Sequence, residues 1–170
     1  SQGIPAGREM LYQFLEHLED TFLVASLPLA TDSEKRRQVN PRKVYPADTG
    51  LIPVFDRSGK SNAGHALEVA VFHELQRRGD AVGYWKTAEG REVDFAVTSA
   101  TGERELIQVC VSLDDAETRE RELRALQEAR TEFSDARPFI LTLESRLPYP
   151  EMPAGVAVLP VWEWILKRSG

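Results

Sequence analysis

Glu92 and Asp94 stand two residues apart in the run Arg91-Glu92-Val93-Asp94-Phe95, and about a dozen residues later comes Ile107-Gln108-Val109-Cys110. Both runs read as strands with period-two alternation. Alternation puts Glu92 and Asp94 on one face of the first strand, and Gln108 and Cys110 on one face of the second. At ~3.3 Å per residue the two carboxylates lie roughly 6–7 Å apart. If the strands are neighbours, acidic and polar groups converge where a sheet normally carries apolar side chains. One carboxylate and a carbonyl from the next strand can hold Mg²⁺ or Mn²⁺, hard ions that prefer oxygen. Such an ion generates hydroxide and neutralises the charge that develops in phosphodiester hydrolysis. Gln108 adds a neutral oxygen, and Glu68, from a preceding helix, adds a carboxylate. The candidate metal ligands are therefore Asp94, Gln108, Glu68 and Glu92. The competing reading is a solvated sheet face on which Glu92 and Asp94 pair with Lys86, Arg91 or Arg104.

Other chemistry is weaker. His65 and His73 are eight residues apart, more than two helical turns, so a shared metal is not expected. They read with His17 as surface or helix-end histidines. A single cysteine, Cys110, excludes a disulfide framework and a cysteine-rich zinc site. No glycine-rich phosphate loop is present. The net charge of -6 and pI of about 5.2 disfavour a dedicated duplex-DNA binder. A local basic cluster is still legible in Lys35, Arg36, Arg37, Arg42 and Lys43. It is a candidate nucleic-acid contact, or else a solvated loop.

The elements that position these residues follow from periodicity. Leu11, Phe14, Leu15 and Leu18 make one apolar stripe on a helix over 8–20. Thr21 to Leu29 is extended, with Pro28 against a central strand position. Thr31 to Arg42 reads as a polar loop, Lys43-Val44-Tyr45 as extended, Asp48-Thr49-Gly50 as a turn, since Asp can bond its own following backbone and Gly tolerates positive φ, and Asp56 to Asn62 as a loop. A strong helix runs from about Gly64 to Arg78 and stops at Gly79. Three meandering strands follow, at Ala81–Lys86, Arg91–Thr98 and Glu105–Val111. In the second, Val93, Phe95 and Val97 share the face opposite Glu92 and Asp94. The helix over 114–130 turns Ala116, Leu123 and Leu126 inward, with Glu117–Arg121 and Glu120–Arg124 paired outside. Strands at Pro138–Leu143 and Val156–Leu159 flank a loop holding Pro148, Pro150 and Pro153. A short helix over Trp162–Lys167 anchors through Trp162 and Trp164. No apolar run approaches the ~20 residues of a membrane helix, and Ser1-Gln2-Gly3 has no leader character and reads as the start of an excised fragment.

Taken in order, these segments resemble the C-terminal domain of unknown function of a prokaryotic AAA-type ATPase family. The resemblance runs through Tyr12-Gln13-Phe14-Leu15 and Phe22-Leu23-Val24. It continues in Asn40-Pro41-Arg42-Lys43-Val44-Tyr45 with Asp48-Thr49-Gly50, then Gly64, Leu67-Glu68 and Phe72-His73-Glu74-Leu75. Tyr84-Trp85, Gly90 to Phe95, Ile107 to Cys110 and Glu120 to Leu123 complete it. It implies an α/β, restriction-endonuclease-like fold of the PD-(D/E)XK type, with a mixed sheet flanked by helices. Residues 1–30 would be a helical lead-in and linker strand, and 31–170 the restriction-endonuclease-like domain. It implies upstream ATPase and winged-helix domains as partners, with ATP bound only there, in a prokaryotic cytoplasm. Glu68, Asp94 and Gln108 resemble catalytic residues of such folds. Cys110 stands where an active nuclease has lysine, and a thiol cannot replace an ammonium; Lys86 is a candidate substitute. Losing one such donor costs on the order of 3 kcal/mol in the transition state. The expectation is a nuclease-like, non-catalytic accessory domain for partner or nucleic-acid recognition. The alternatives are a Mg²⁺/Mn²⁺-dependent nuclease acting on DNA and an oligomerisation or regulatory domain.

Overall fold

A computed structural model describes residues 7–55, 62–144 and 152–167. The Asp56–Asn62 loop up to residue 61, the start at Ser1-Gln2-Gly3, and Pro148 and Pro150 lie outside the described residues. The elements are α1 (Arg8–Asp20), β1 (Val24–Leu27), α2 (Glu34–Val39), β2 (Lys43–Pro46), a 3-10 turn (Thr49–Leu51) and α3 (Ile52–Phe55). Then come α4 (Ala63–Arg78), β3 (Ala81–Lys86), β4 (Glu92–Thr98), β5 (Arg104–Cys110), α5 (Ala116–Glu132), β6 (Arg137–Thr142), β7 (Ala157–Pro160) and α6 (Val161–Lys167).

The fold is α/β with a mixed five-stranded sheet in the order β3-β4-β5-β6-β7. The β3–β4 and β4–β5 pairs are antiparallel, as tight turns dictate, and the β5–β6 and β6–β7 pairs are parallel. The α5 crossover makes the β5–β6 pair possible. One face buries Leu67, Val71, Phe72 and Leu75 of α4 against Phe95, Val97 and Ile107. The other buries Ala125, Leu126 and Ala129 of α5 against Val93, Ala96, Leu106 and Cys110. Each fully buried Leu or Phe contributes roughly 1.5–3 kcal/mol. Separately, β1 and β2 form an antiparallel ribbon on the α4 side of the sheet, with Leu27 and Tyr45 in that core.

Three sequence expectations are corrected. The stretch read as a polar loop holds α2, because the Ser33 side chain accepts from Arg36 N–H at its start and Asn40 Nδ2 donates to the Arg36 carbonyl at its end. Ala116 is exposed, while Glu122 of α5 is buried; Glu122 lies on the same stripe as Ala125, Leu126 and Ala129. Arg121 pairs with Glu122 at 2.6 Å, although Arg124 does pair with Glu120. The turn read at Asp48 does form, and Gly50 in it does not use its tolerance of positive φ. Its small size is needed instead, since Asp48 Oδ1 accepts from Gly50 N–H at 2.6 Å and a Cβ there would sit 2.8 Å from that oxygen.

The end of α1 carries a conformational cost. Phe22 N–H donates to the Glu19 carbonyl and Leu23 N–H to the Leu18 carbonyl, the paired bonds of a Schellman cap. Phe22 occupies the left-handed position of that cap at φ 56°, where glycine is usual. A side chain there costs roughly 1–2 kcal/mol.

Candidate functional site

The site begins with an irregularity in β4. Gly83 pairs with Ala96 and Trp85 with Val93, so Asp94 and Phe95 together oppose the single residue Tyr84. This is a β-bulge, a device that re-aims side chains. It corrects the strict alternation expected for this strand. Val93 joins Ala96 in the α5-side core, while Phe95 and Val97 pack on the α4 side. Asp94 is thereby turned to the α4 side beside Phe95.

Just past the bulge β4 and β5 stop pairing directly, the last register pair being Phe95 with Ile107. Side chains bridge the gap. Gln108 Oε1 accepts from Asp94 N–H at 2.9 Å, and Gln108 Nε2 donates to the Glu92 carbonyl at 3.0 Å and to Glu122 Oε2 at 2.6 Å. Asp94 Oδ2 accepts from Val109 N–H at 3.0 Å. Gln108 is therefore a buried clamp whose oxygen already serves the backbone. Glu122, one of the acids that the sequence reading places on the solvated face of its helix, is buried and holds it from the far side.

On the α4 side the carboxylates of Glu68, Glu92 and Asp94 meet one cation. Lys43 Nζ lies 3.0 Å from Glu68 Oε1, 2.7 Å from Glu92 Oε1 and 3.1 Å from Asp94 Oδ1. Tyr45 Oη donates to the same Glu68 oxygen at 2.5 Å. Lys43 and Tyr45 alternate on β2, so both turn inward while Val44 between them stays exposed. The Tyr45 ring stacks on Phe72 with centroids 4.5 Å apart, and His73 Nε2 lies 2.9 Å from the Pro46 carbonyl; both tie β2 to α4. Lys86 reaches only the outer oxygen of Glu92, at 3.2 Å. Cys110 points away, into the core against α5. Burial, then the Glu122 and Asp94 carboxylates, push its thiol up to about 12.

The remaining basic residues lie elsewhere. Arg36 pairs with Glu132 at 3.7 Å and Arg37 with Glu34 at 2.8 Å, while Arg42 donates to Ser26 Oγ at 3.3 Å. Sequence proximity alone groups Lys43 with them. The signal that separates it was available: in Lys43-Val44-Tyr45 the lysine shares its face with a tyrosine, which a strand buries.

Burial, and next the Glu68 carboxylate, push Asp94 up to about 7, against the pull of Lys43 and of the Val109 N–H. For Lys43, burial alone would lower the ammonium. The carboxylates of Asp94, Glu68 and Glu92 outweigh it and raise the group above its usual range. Burial and the Glu68 carboxylate likewise raise the Tyr45 phenol, which stays a donor.

A cleft of about 350 Å³ opens over this point, lined on one side by Gly64 and Glu68 and on the other by Arg121 and Glu122, with Asp94 and Val109 at its floor. The oxygen-rich donors match the chemistry of Mg²⁺ or Mn²⁺, but the arrangement does not fit such an ion. Lys43 already contacts the three carboxylates, and the Gln108 oxygen accepts from the backbone. Among the described residues, no group of three or more His, Cys, Asp or Glu side chains is set to hold a metal. What the site does as built is to neutralise converging carboxylates with an internal ammonium.

Comparison with known proteins places the chain by sequence. The family described as "Domain of unknown function (DUF4143)" matches residues 63–164, well over half of the chain. The uncharacterized protein MJ1544 of Methanocaldococcus jannaschii is 29% identical over 168 residues, covering 94% of this chain and 36% of that protein. The chain thus spans about a third of the length of the curated relative it matches. No solved structure matches it. Among the described residues, no helix is long and apolar enough to cross a membrane.

Proposed function

The chain belongs to the DUF4143 family, and from that premise we propose that it is a restriction-endonuclease-like module that has become a non-catalytic accessory domain of an AAA-type ATPase. Its role is recognition of nucleic acid or of a partner in concert with that ATPase. The observation that carries this reading is the position of Lys43 Nζ, within 2.7–3.1 Å of all three carboxylates. An ammonium fixed there takes the place that a hydrolytic cation would need. The order α4, β3-β4-β5, α5, β6 supports the fold assignment, since the carboxylates gather where the second and third strands of the meander part. The ATPase context is supported by the resemblance of the segments, and the relative, nearly three times as long as the matched region, has room for further domains.

A metal-dependent nuclease is the second reading, and one observation favours it. Lys43 supplies from β2 the positive charge that Cys110 lacks on β5. The two readings part in a cleavage assay. Plasmid and single-stranded DNA are incubated with Mn²⁺ and either the unaltered chain or Asp94→Asn. The accessory reading expects intact DNA in both. Cleavage by the unaltered chain that Asp94→Asn abolishes would establish the nuclease instead.

A further inference from the structure

We propose that the outer face of α1, together with Phe22 and the adjoining β1–β2 groove, is a two-fold interface that pairs two copies of this chain. Of the apolar stripe that periodicity finds on α1, Leu15 is half-buried while Leu11, Phe14 and Leu18 are turned outward. Leu11, Phe14, Leu18, Leu23 and Val44 are each 41–59% exposed, and Phe22 is 85% exposed. Beside them lies an apolar groove of about 540 Å³, lined by Leu18, Val24, Val44, Pro46, Ile52 and His65.

Phe22 is the decisive residue. It occupies the left-handed position of the α1 cap, where glycine would fit without strain, and it is the only non-glycine residue at positive φ among those described. None of the described residues buries the ring. A strained backbone that holds an aromatic ring out into water has a physical rationale if the ring is buried elsewhere.

Self-association fits because knob and hole lie side by side on one surface. A two-fold axis through the patch sends Phe22 of each copy into the groove of the other, the reciprocity that an isologous contact requires. The area also suffices. With large side chains at roughly 150–250 Å² each, the six exposed residues present on the order of 600 Å² of apolar surface. A stable interface buries about 800 Å² per partner, of which about 65% is apolar in homodimers, or roughly 500 Å².

Sedimentation velocity or light scattering on the unaltered chain, across a range of concentrations, should show mass rising from the monomer value of 19.1 kDa toward its double. Phe22→Gly should weaken dimerisation by roughly thirtyfold or more, as loss of an aromatic anchor does. The same substitution should leave the thermal midpoint of the monomer unchanged or higher, because it removes the left-handed strain. Phe14→Glu should shift the dissociation constant in the same direction with unchanged far-ultraviolet circular dichroism. A chain that stays at 19.1 kDa throughout overturns the proposal and leaves the face to the proposed upstream domains or to a different polypeptide. So does a dimer that Phe22→Gly and Phe14→Glu leave intact, which would point to the exposed Trp162 and Leu166 of α6. A fall in the monomer's midpoint with Phe22→Gly also counts against it, since the ring would then be packing within its own chain.

Discussion

Lys43 decides how the carboxylates behave. With it present, Glu68, Glu92 and Asp94 share one cation within 2.7–3.1 Å. With it absent, charges of one sign would be left together in a partly buried place. Replacing Lys43 by Met should therefore destabilise the chain by roughly 3 kcal/mol at pH 8, the cost of breaking a largely buried ion pair. Lys43 stays ionised across the neutral range, its pKa being raised, so any pH dependence of this loss comes from the acids. Asp94 is pushed from 3.8 up to about 7 by burial and Glu68. A group whose folded pKa lies above its unfolded value binds its proton more tightly when folded. Its contribution to stability is whole below about pH 4 and is lost as pH rises through 7. The penalty of Lys43→Met should thus shrink from pH 8 toward pH 5 as Asp94 takes up its proton. Asp94→Asn should remove the fall in stability between pH 4 and 7. Urea midpoints at a series of pH values read both effects. A Lys43→Met penalty that is flat with pH would sink the account.

The bulge and the ribbon are the elements that make the site. A regular β4 would have left Asp94 and Phe95 on opposite faces; the bulge puts both toward α4. The β1–β2 ribbon then carries Lys43 and Tyr45 over the carboxylates. It is joined to the sheet through residues 28–30, where Tyr84 N–H donates to the Pro28 carbonyl and Ala30 N–H to the Tyr84 carbonyl. Gly83 permits that approach, since a Cβ there would fall 2.9–3.1 Å from Ala30 atoms. Gly83→Val should cost about 1–3 kcal/mol through overpacking. It should also speed hydrogen exchange at Ala30 and Tyr84, and loosen Lys43 with them. Unchanged protection of those two amides would show that the ribbon is held by other contacts. Periodicity located nearly every long element here, including α1, α4 and the three meandering strands. It missed α2, whose Ser33 cap is visible in the sequence, and it could not find the bulge, because an extra residue in one strand is defined only against its partner.

At the scale of the whole molecule, a net charge of -6 means that the proposed recognition of nucleic acid requires a local basic patch. Arg36 and Arg37 now pair with Glu132 and Glu34 on the surface, and exposed pairs are worth only about 0–1 kcal/mol. They are available for exchange onto phosphate. Reversing both, Arg36→Glu with Arg37→Glu, should weaken binding to a labelled single strand about tenfold or more and flatten its salt dependence by about 1–2 in slope. Fluorescence anisotropy across salt concentrations measures this, and unaltered affinity would exclude the patch. By itself the sequence determined the mixed α/β architecture and the candidate carboxylates, because these follow from alternation and residue type along the chain; that Cys110 stands in a lysine's place is what the family resemblance implies. Only the tertiary structure decided that Lys43, 51 residues before Asp94, lies beside it, that Gln108 serves the backbone, and that Leu11, Phe14 and Leu18 of the α1 stripe face outward. Those facts depend on which distant segments meet, and no local period carries that information.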